Sequence, residues 1–318
     1  MKVNRQPVGE ITEDMMKRDH QFWCDYSQRT IGDLITYDTS IKEICEVCNK
    51  IYVTHDYSGF KGDPKFVRDE DAQKSFSKLR NAIATSIYQW RMDNSDEARR
   101  NPAYRTRLEK EAEFALKQTF AYCPYSPEAV FHLMDLLSRQ GRLDEIRDVL
   151  TTALKLDPYN DAFQNWMKNV DSNLAMQKAQ SAQQSLSQVR TLLGAHKNAE
   201  AEAALDALAQ DPNADVPTLV NISGLYAEAG KSAKGVAVMQ KLLNSHPTDW
   251  EMWFHLARLQ AMDGNATESA ADLEKAFSLN PADRLTNGPQ AVSLHDFVKH
   301  DNTFDRIRAT PEYQKVMK

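Results

Sequence analysis

Cys45 and Cys48 lie three apart in a stretch, Ile41–Tyr52, that reads as a helix. Two thiolates on one helical face can begin a tetrahedral zinc site. Such a site needs two more ligands, and Cys24, His55 and Cys123 are the candidates. No second Cys-x-x-Cys follows, and no strand pattern precedes this one as a redox motif would require. The spacing therefore reads as buried structural cysteines, with no metal site assigned. The eight histidines are His20, His55, His132, His196, His246, His255, His295 and His300, and they form no His-Glu-x-x-His pair. The eleven glycines never fall as Gly-x-Gly, and neither a nucleophile elbow nor a phosphate-binding loop is present. Asp69-Glu70-Asp71 reads as a helix start, and Arg99, Arg100, Arg105 and Arg107 as a solvated face. No catalytic residue and no cofactor is assigned.

Side chains without a catalytic pattern still need elements to hold them, and here the elements repeat. Pro124 and Pro158 are 34 residues apart, as are Pro247 and Pro281, and Pro212 precedes Pro247 by 35. A proline there ends a helix, since it lacks an N–H and disfavours helical geometry in the residue before it. Between prolines run two apolar stripes at helical spacing. The first is Val130, Leu133, Met134 and Leu137; the second is Ile146, Val149, Leu150, Ala153 and Leu154. Gly141, Gly230 and Gly264 each stand 17 residues before their proline, where a turn between antiparallel helices needs positive φ.

Period, stripes, turn glycine and closing proline resemble the tetratricopeptide repeat family. Repeat 216–249 carries Leu219, Ile222, Ser223, Tyr226, Gly230 and Pro247. Repeat 250–283 carries Trp253, Leu256, Ala257, Gly264, Ala276 and Pro281, and repeat 127–160 carries Leu133, Leu137, Gly141, Ala153 and Pro158. A degenerate copy lies around 181–212. The resemblance implies an all-α fold, a right-handed α-α superhelix, over 102–318. Within it a long helix spans about 161–195, and a C-terminal tail, Ala291 onward, caps the last repeat. Residues 1–101 read as a separate, aromatic-rich helical region, with helices near 11–29, 40–54 and 70–92 and another at 102–121. Its turn-rich loop Asp56–Pro64 is either a functional surface or an ordered connector.

First helices of this family line a concave groove that binds a protein or peptide. By repeat position the groove residues are Phe131, His132, Asp135, Arg139, Asn221, Glu228, Phe254, His255, Arg258 and Met262. Phe131-His132 and Phe254-His255 hold the same place in their repeats, as ligand-facing pairs or as repeat-to-repeat packing. Chaperone-binding relatives grip a C-terminal carboxylate through Lys, Asn and Arg. Asn221 matches one such position, but Phe131, Asp135, Glu251 and His255 replace the others, so that clamp is not expected. The resemblance implies a non-enzymatic interaction scaffold.

Three further stretches are Asp19–Trp23, His55–Pro64 and Cys123–Ala129. They look similar to the soluble C-terminal region of large membrane proteins of the protein O-mannosyltransferase-like class. That resemblance implies a soluble accessory part of a membrane-bound glycosyltransferase-like protein, tethered to an upstream membrane part and extracytoplasmic. A complete chain would instead be cytoplasmic, since the first twenty residues hold no apolar signal segment. A net charge of −6 argues against nucleic acid, and no window approaches the roughly 18 apolar residues of a membrane span. Oligomeric state is not legible.

Overall fold

The computed structural model describes residues 11–212, 214–285 and 292–318; among them every regular element is helical, apart from one antiparallel bridge between Arg284 and Ser293. Local chemistry sets the helix ends. Thr12 caps α1 (Glu13–Thr30), and Ser40 and Glu43 close a reciprocal capping box on α2 (Ile41–Cys48), which runs on into a π-helical turn over Asn49–Val53. Asp63 caps the short α3 (Pro64–Arg68), and Asp69 caps α4 (Glu70–Ile83), as its acidic start predicts. A π-helical stretch, Ala84–Gln89, joins α4 to α5 (Trp90–Asn94), followed by α6 (Asp96–Arg100) and α7 (Pro102–Tyr122).

The repeats begin with α8 (Pro127–Arg139) and α9 (Leu143–Leu156). Next comes the long α10 (Asp161–Gly194), then α11 (Asn198–Ala209). Two clean hairpins follow: α12 (Val216–Glu228) with α13 (Ser232–Ser245), and α14 (Trp250–Asp263) with α15 (Ala266–Leu279). Gly141, Gly230 and Gly264 take φ of 71°, 72° and 83°, the left-handed turn expected of them. The fold is all-α, and its second half is built of consecutive antiparallel helix pairs.

The helices gather into two compact units, Met1–Met176 and Gln177–Lys318, divided inside α10. The sequence suggested a division at 101/102, but α7, α8 and α9 share one core with the N-terminal helices. The reason is α7 itself. Eleven of its last twelve residues, all but Glu113, are buried between Glu111 and Tyr122, so it serves as a central post and not as an amphipathic surface helix. Cys45, Cys48 and Cys123 are buried in that unit as free thiols. Burial pushes the Cys45 thiol up to about 12 and Cys123 to about 11, which leaves both protonated at neutral pH.

The connector Asp56–Pro64 is pinned to the end of α1. Asp63 N–H donates to the Thr30 carbonyl at 3.0 Å, and Lys50 Nζ donates to the Ser58 carbonyl at 2.6 Å. Gly62 makes this approach possible: a Cβ there would lie 2.5 Å from the Thr30 carbonyl oxygen.

In the second unit, the tail comprises α16 (Leu294–His300), a 3₁₀ turn over Asn302–Phe304, and α17 (Pro311–Val316), which Thr310 caps and Pro311 opens. Ala291, where the sequence reading began the tail, lies outside the described residues. Leu294, Val298, Phe304, Ile307 and Tyr313 form one apolar cluster with Phe254, Ala257 and Ala261 of α14 and with Leu273 and Ala276 of α15. The tail thus covers the face that a following repeat would cover.

One carboxylate of α15 fits its surroundings poorly. Asp272 Oδ2 is buried without a hydrogen-bond partner, and burial together with the Glu268 charge pushes its pKa up to about 7. A carboxyl raised above its unfolded value favours folding when protonated, and that stability is lost as pH rises through 7. Asp272→Asn is expected to raise the melting temperature at pH 8, by about 2–4 °C for each kcal/mol relieved, and to change it little at pH 4. Scanning calorimetry at the two pH values checks this.

Candidate functional site

Within the second unit, α12 and α14 stand side by side, with the C-terminal part of α10 on one flank and the tail on the other. Asp215 starts α12 by accepting from Thr218 N–H at 2.8 Å, and Asp249 starts α14 by accepting from the N–H groups of Glu251 (2.9 Å) and Met252 (3.3 Å). Between them lies a groove of about 320 Å³. Its floor is apolar, with Val220 and Leu225 from α12 and Leu259 and Met262 from α14. Asn221, Ser223, Gly224 and Glu228 line the α12 side, His255 and Arg258 the α14 side, with Arg190 from α10 and Thr303 from the tail at the flanks.

The polar groups are in different electrostatic states. Burial, then the Arg258 charge, hold the His255 pKa below its ordinary value. His255 is therefore a neutral imidazole at pH 7, able to donate and to accept one hydrogen bond each. Arg258 is taken up by the tail: its Nε lies 3.0 Å from Asp301 Oδ2 and 3.4 Å from Thr303 Oγ1. Asn221 donates to the Pro217 carbonyl at 2.9 Å but remains exposed. Ser223 donates to the Val220 carbonyl at 2.7 Å.

Of the ten groove residues read from the sequence, six lie in the second unit and four in the first. Asn221, Glu228, His255, Arg258 and Met262 converge on the groove just described. Phe254 does not: it is 4% exposed, with its ring 6.4 Å from Phe304 and 6.1 Å from Phe297 of the tail. The tail occupies the volume into which Phe254 would otherwise project, so Phe254→Ala would test folding and not binding. Phe131, His132, Asp135 and Arg139 belong to the first unit. There Phe131 is 48% exposed and leans on Trp166 at 5.8 Å and on His132 at 5.3 Å. Arg139 pairs with Asp135 at 3.0 Å and with Asp93 of α5 at 2.8 Å. Arg190 and Thr303 were missed by the sequence reading. Repeat arithmetic could have found Arg190 on the degenerate copy; no local signal marks Thr303, whose place depends on how the tail folds back.

The first unit holds a second concentration of polar chemistry, but inside its core. Glu111 is fully buried, receives the Tyr37 hydroxyl at 2.5 Å and Arg107 Nη2 at 2.9 Å, and meets His20 Nδ1 at 3.1 Å. Burial raises its pKa, but these partners together hold it below the usual carboxylate value. The His20 ring is packed between Tyr37 and Phe114, at centroid distances of 4.6 and 4.3 Å. The arrangement ties α1, the chain after it and α7 together. Among the described residues no group of three or more His, Cys, Asp or Glu is placed to hold a metal ion.

No protein-family model and no curated protein matches the chain. A solved structure of the APC/C hetero-tetramer Cut9-Hcn1 is similar at 10% identity, over 96% of this chain and 60% of that one, with a TM-score of 0.30. The present chain thus spans about 60% of that chain's length. The resemblance to O-mannosyltransferase-like proteins finds no support in these comparisons. Among the described residues no helix is long and apolar enough to cross a membrane.

Proposed function

We propose that the chain is a non-enzymatic scaffold that holds a peptide segment of a partner protein in the groove between α12 and α14. The observation that carries this reading is the convergence of Asn221, Glu228, His255, Arg258 and Met262, chosen by repeat position, on one open groove with an apolar floor. Such a groove suits a segment held by apolar anchors and aligned by a few polar groups. A neutral His255 and an exposed Asn221 can pair with the backbone of an extended segment.

Gly224 offers a clean test. A Cβ built there meets nothing within 4 Å, so a larger side chain enters the groove and not the protein. Gly224 also sits inside a helix, where almost any other residue is a better helix former. Random peptides displayed on phage are to be selected on the full-length chain. Selected peptides are expected to bind Gly224→Phe at least about 10-fold more weakly, a loss of about 1.4 kcal/mol, while its melting temperature is kept or raised. Unchanged affinity would move the site elsewhere on the molecule, and failure to select any binder would remove the peptide-binding reading.

A further inference from the structure

The groove has two free charges of opposite sign. Arg258 is already neutralised by Asp301. Arg190 and Glu228 are both exposed, and among the described residues neither enters an ion pair or a side-chain hydrogen bond. They stand on different helices, Arg190 on α10 and Glu228 near the end of α12. The same groove is lined by Val220, Leu225, Leu259 and Met262, of which Leu225 and Leu259 are 2% and 4% exposed. His255 adds no charge at neutral pH.

We infer that the groove selects a partner segment of mixed charge: an acidic side chain for Arg190, a basic side chain for Glu228, and apolar residues between them. This rests on the peptide-binding reading and deepens it. Two like charges on the segment would place one of them against a like charge of the groove, where the apolar floor weakens screening. A purely apolar segment would fill the floor but leave both rim charges to water. Opposite charges also orient the segment, since reversing it exchanges both pairings.

Four synthetic heptapeptides of identical apolar centre test this by titration calorimetry against the full-length chain. They carry acid and base at the two ends in each order, acid at both ends, or base at both ends. One mixed-charge order is expected to bind about 10-fold more tightly than either like-charge peptide, with the advantage shrinking at high salt. Arg190→Glu is expected to shift the preference to the doubly basic peptide, and Glu228→Lys to the doubly acidic one. Both positions are exposed, so these variants should keep the wild-type melting temperature. Equal affinity for all four peptides, or charge variants that leave the ranking unchanged, would overturn the charge assignment while sparing the groove. If none of the four binds but displayed peptides of another pattern do, the charge assignment falls and the groove stands. If neither binds, the peptide-binding reading itself fails.

Discussion

Gly235→Ala should lower the stability of the second unit by about 2–3 kcal/mol, although glycine to alanine inside a helix ordinarily stabilises by about 0.5–1 kcal/mol. The reversal comes from one contact. A Cβ on Gly235 would lie 2.4 Å from the Ser223 carbonyl oxygen and 3.3 Å from its carbon. Both are backbone atoms of α12, so no side chain can rotate away, and α13 must move off its neighbour. Ser223 and Gly224 line the groove, so the displacement reaches the binding surface as well. Gly224→Ala is the matched control: same helix pair, same substitution, no atom in the way, and an expected gain of about 0.5–1 kcal/mol. Urea unfolding of the full-length chain, followed by circular dichroism, would register both. A stabilising Gly235→Ala would mean that α12 and α13 are packed less closely than described. The two units need not unfold together, so the transition is to be fitted without assuming a single step.

The second large effect lies in the first unit. Arg80 is fully buried, and its guanidinium bridges elements distant in sequence. Nε donates to Gln118 Oε1 at 2.8 Å and Nη1 to Asp19 Oδ2 at 2.9 Å, while the plane lies 5.0 Å from the Trp23 ring centroid and 5.7 Å from that of Phe114. Asp19 also accepts the Tyr88 hydroxyl at 2.7 Å, and Gln118 donates to Ser27 Oγ at 2.7 Å. Arg80→Met removes the cation and leaves a part-buried carboxylate and a buried amide without it. Breaking one side of such a buried pair costs about 3–5 kcal/mol. Arg80→Lys is expected to recover little, because one ammonium cannot reproduce a planar fork that serves Gln118 and Asp19 and stacks on Trp23 at once. Chemical denaturation of the three proteins checks the order wild type, Lys, Met. A lysine variant as stable as wild type would show that charge alone matters there.

Much of this architecture is legible in the chain. The starts of α1, α2, α4, α8, α12 and α14 follow from Ser, Thr and Asp caps, because capping is settled by neighbours two or three residues away. The three turn glycines follow from the need for positive φ. The second-unit groove was half legible: repeat position picks out Asn221, Glu228, His255, Arg258 and Met262, since successive first helices present equivalent faces. Arg190 and Thr303 lay beyond it, one on a degenerate repeat and the other on a tail whose return path depends on tertiary contacts. The central role of α7 was hidden for another reason. A helix whose second half is buried on nearly all sides carries no strong periodic stripe, and its Glu111, Lys117 and Gln118 look like surface residues until their partners are in place.

Phe131 and Phe254 show where the division falls. The sequence determined that both begin the same phrase, Phe-His on the first helix of a repeat, because helical period and turn chemistry act within one repeat. It could not determine their surroundings. Phe131 is left 48% exposed beside Trp166, whereas Phe254 is 4% exposed beneath Phe297 and Phe304. What lies over a repeat is chosen by whichever segment can bury its apolar face there, and that is a competition among distant parts of the chain. Local periodicity built the helices; only the packing of the tail against α14 decided which of their faces stayed open.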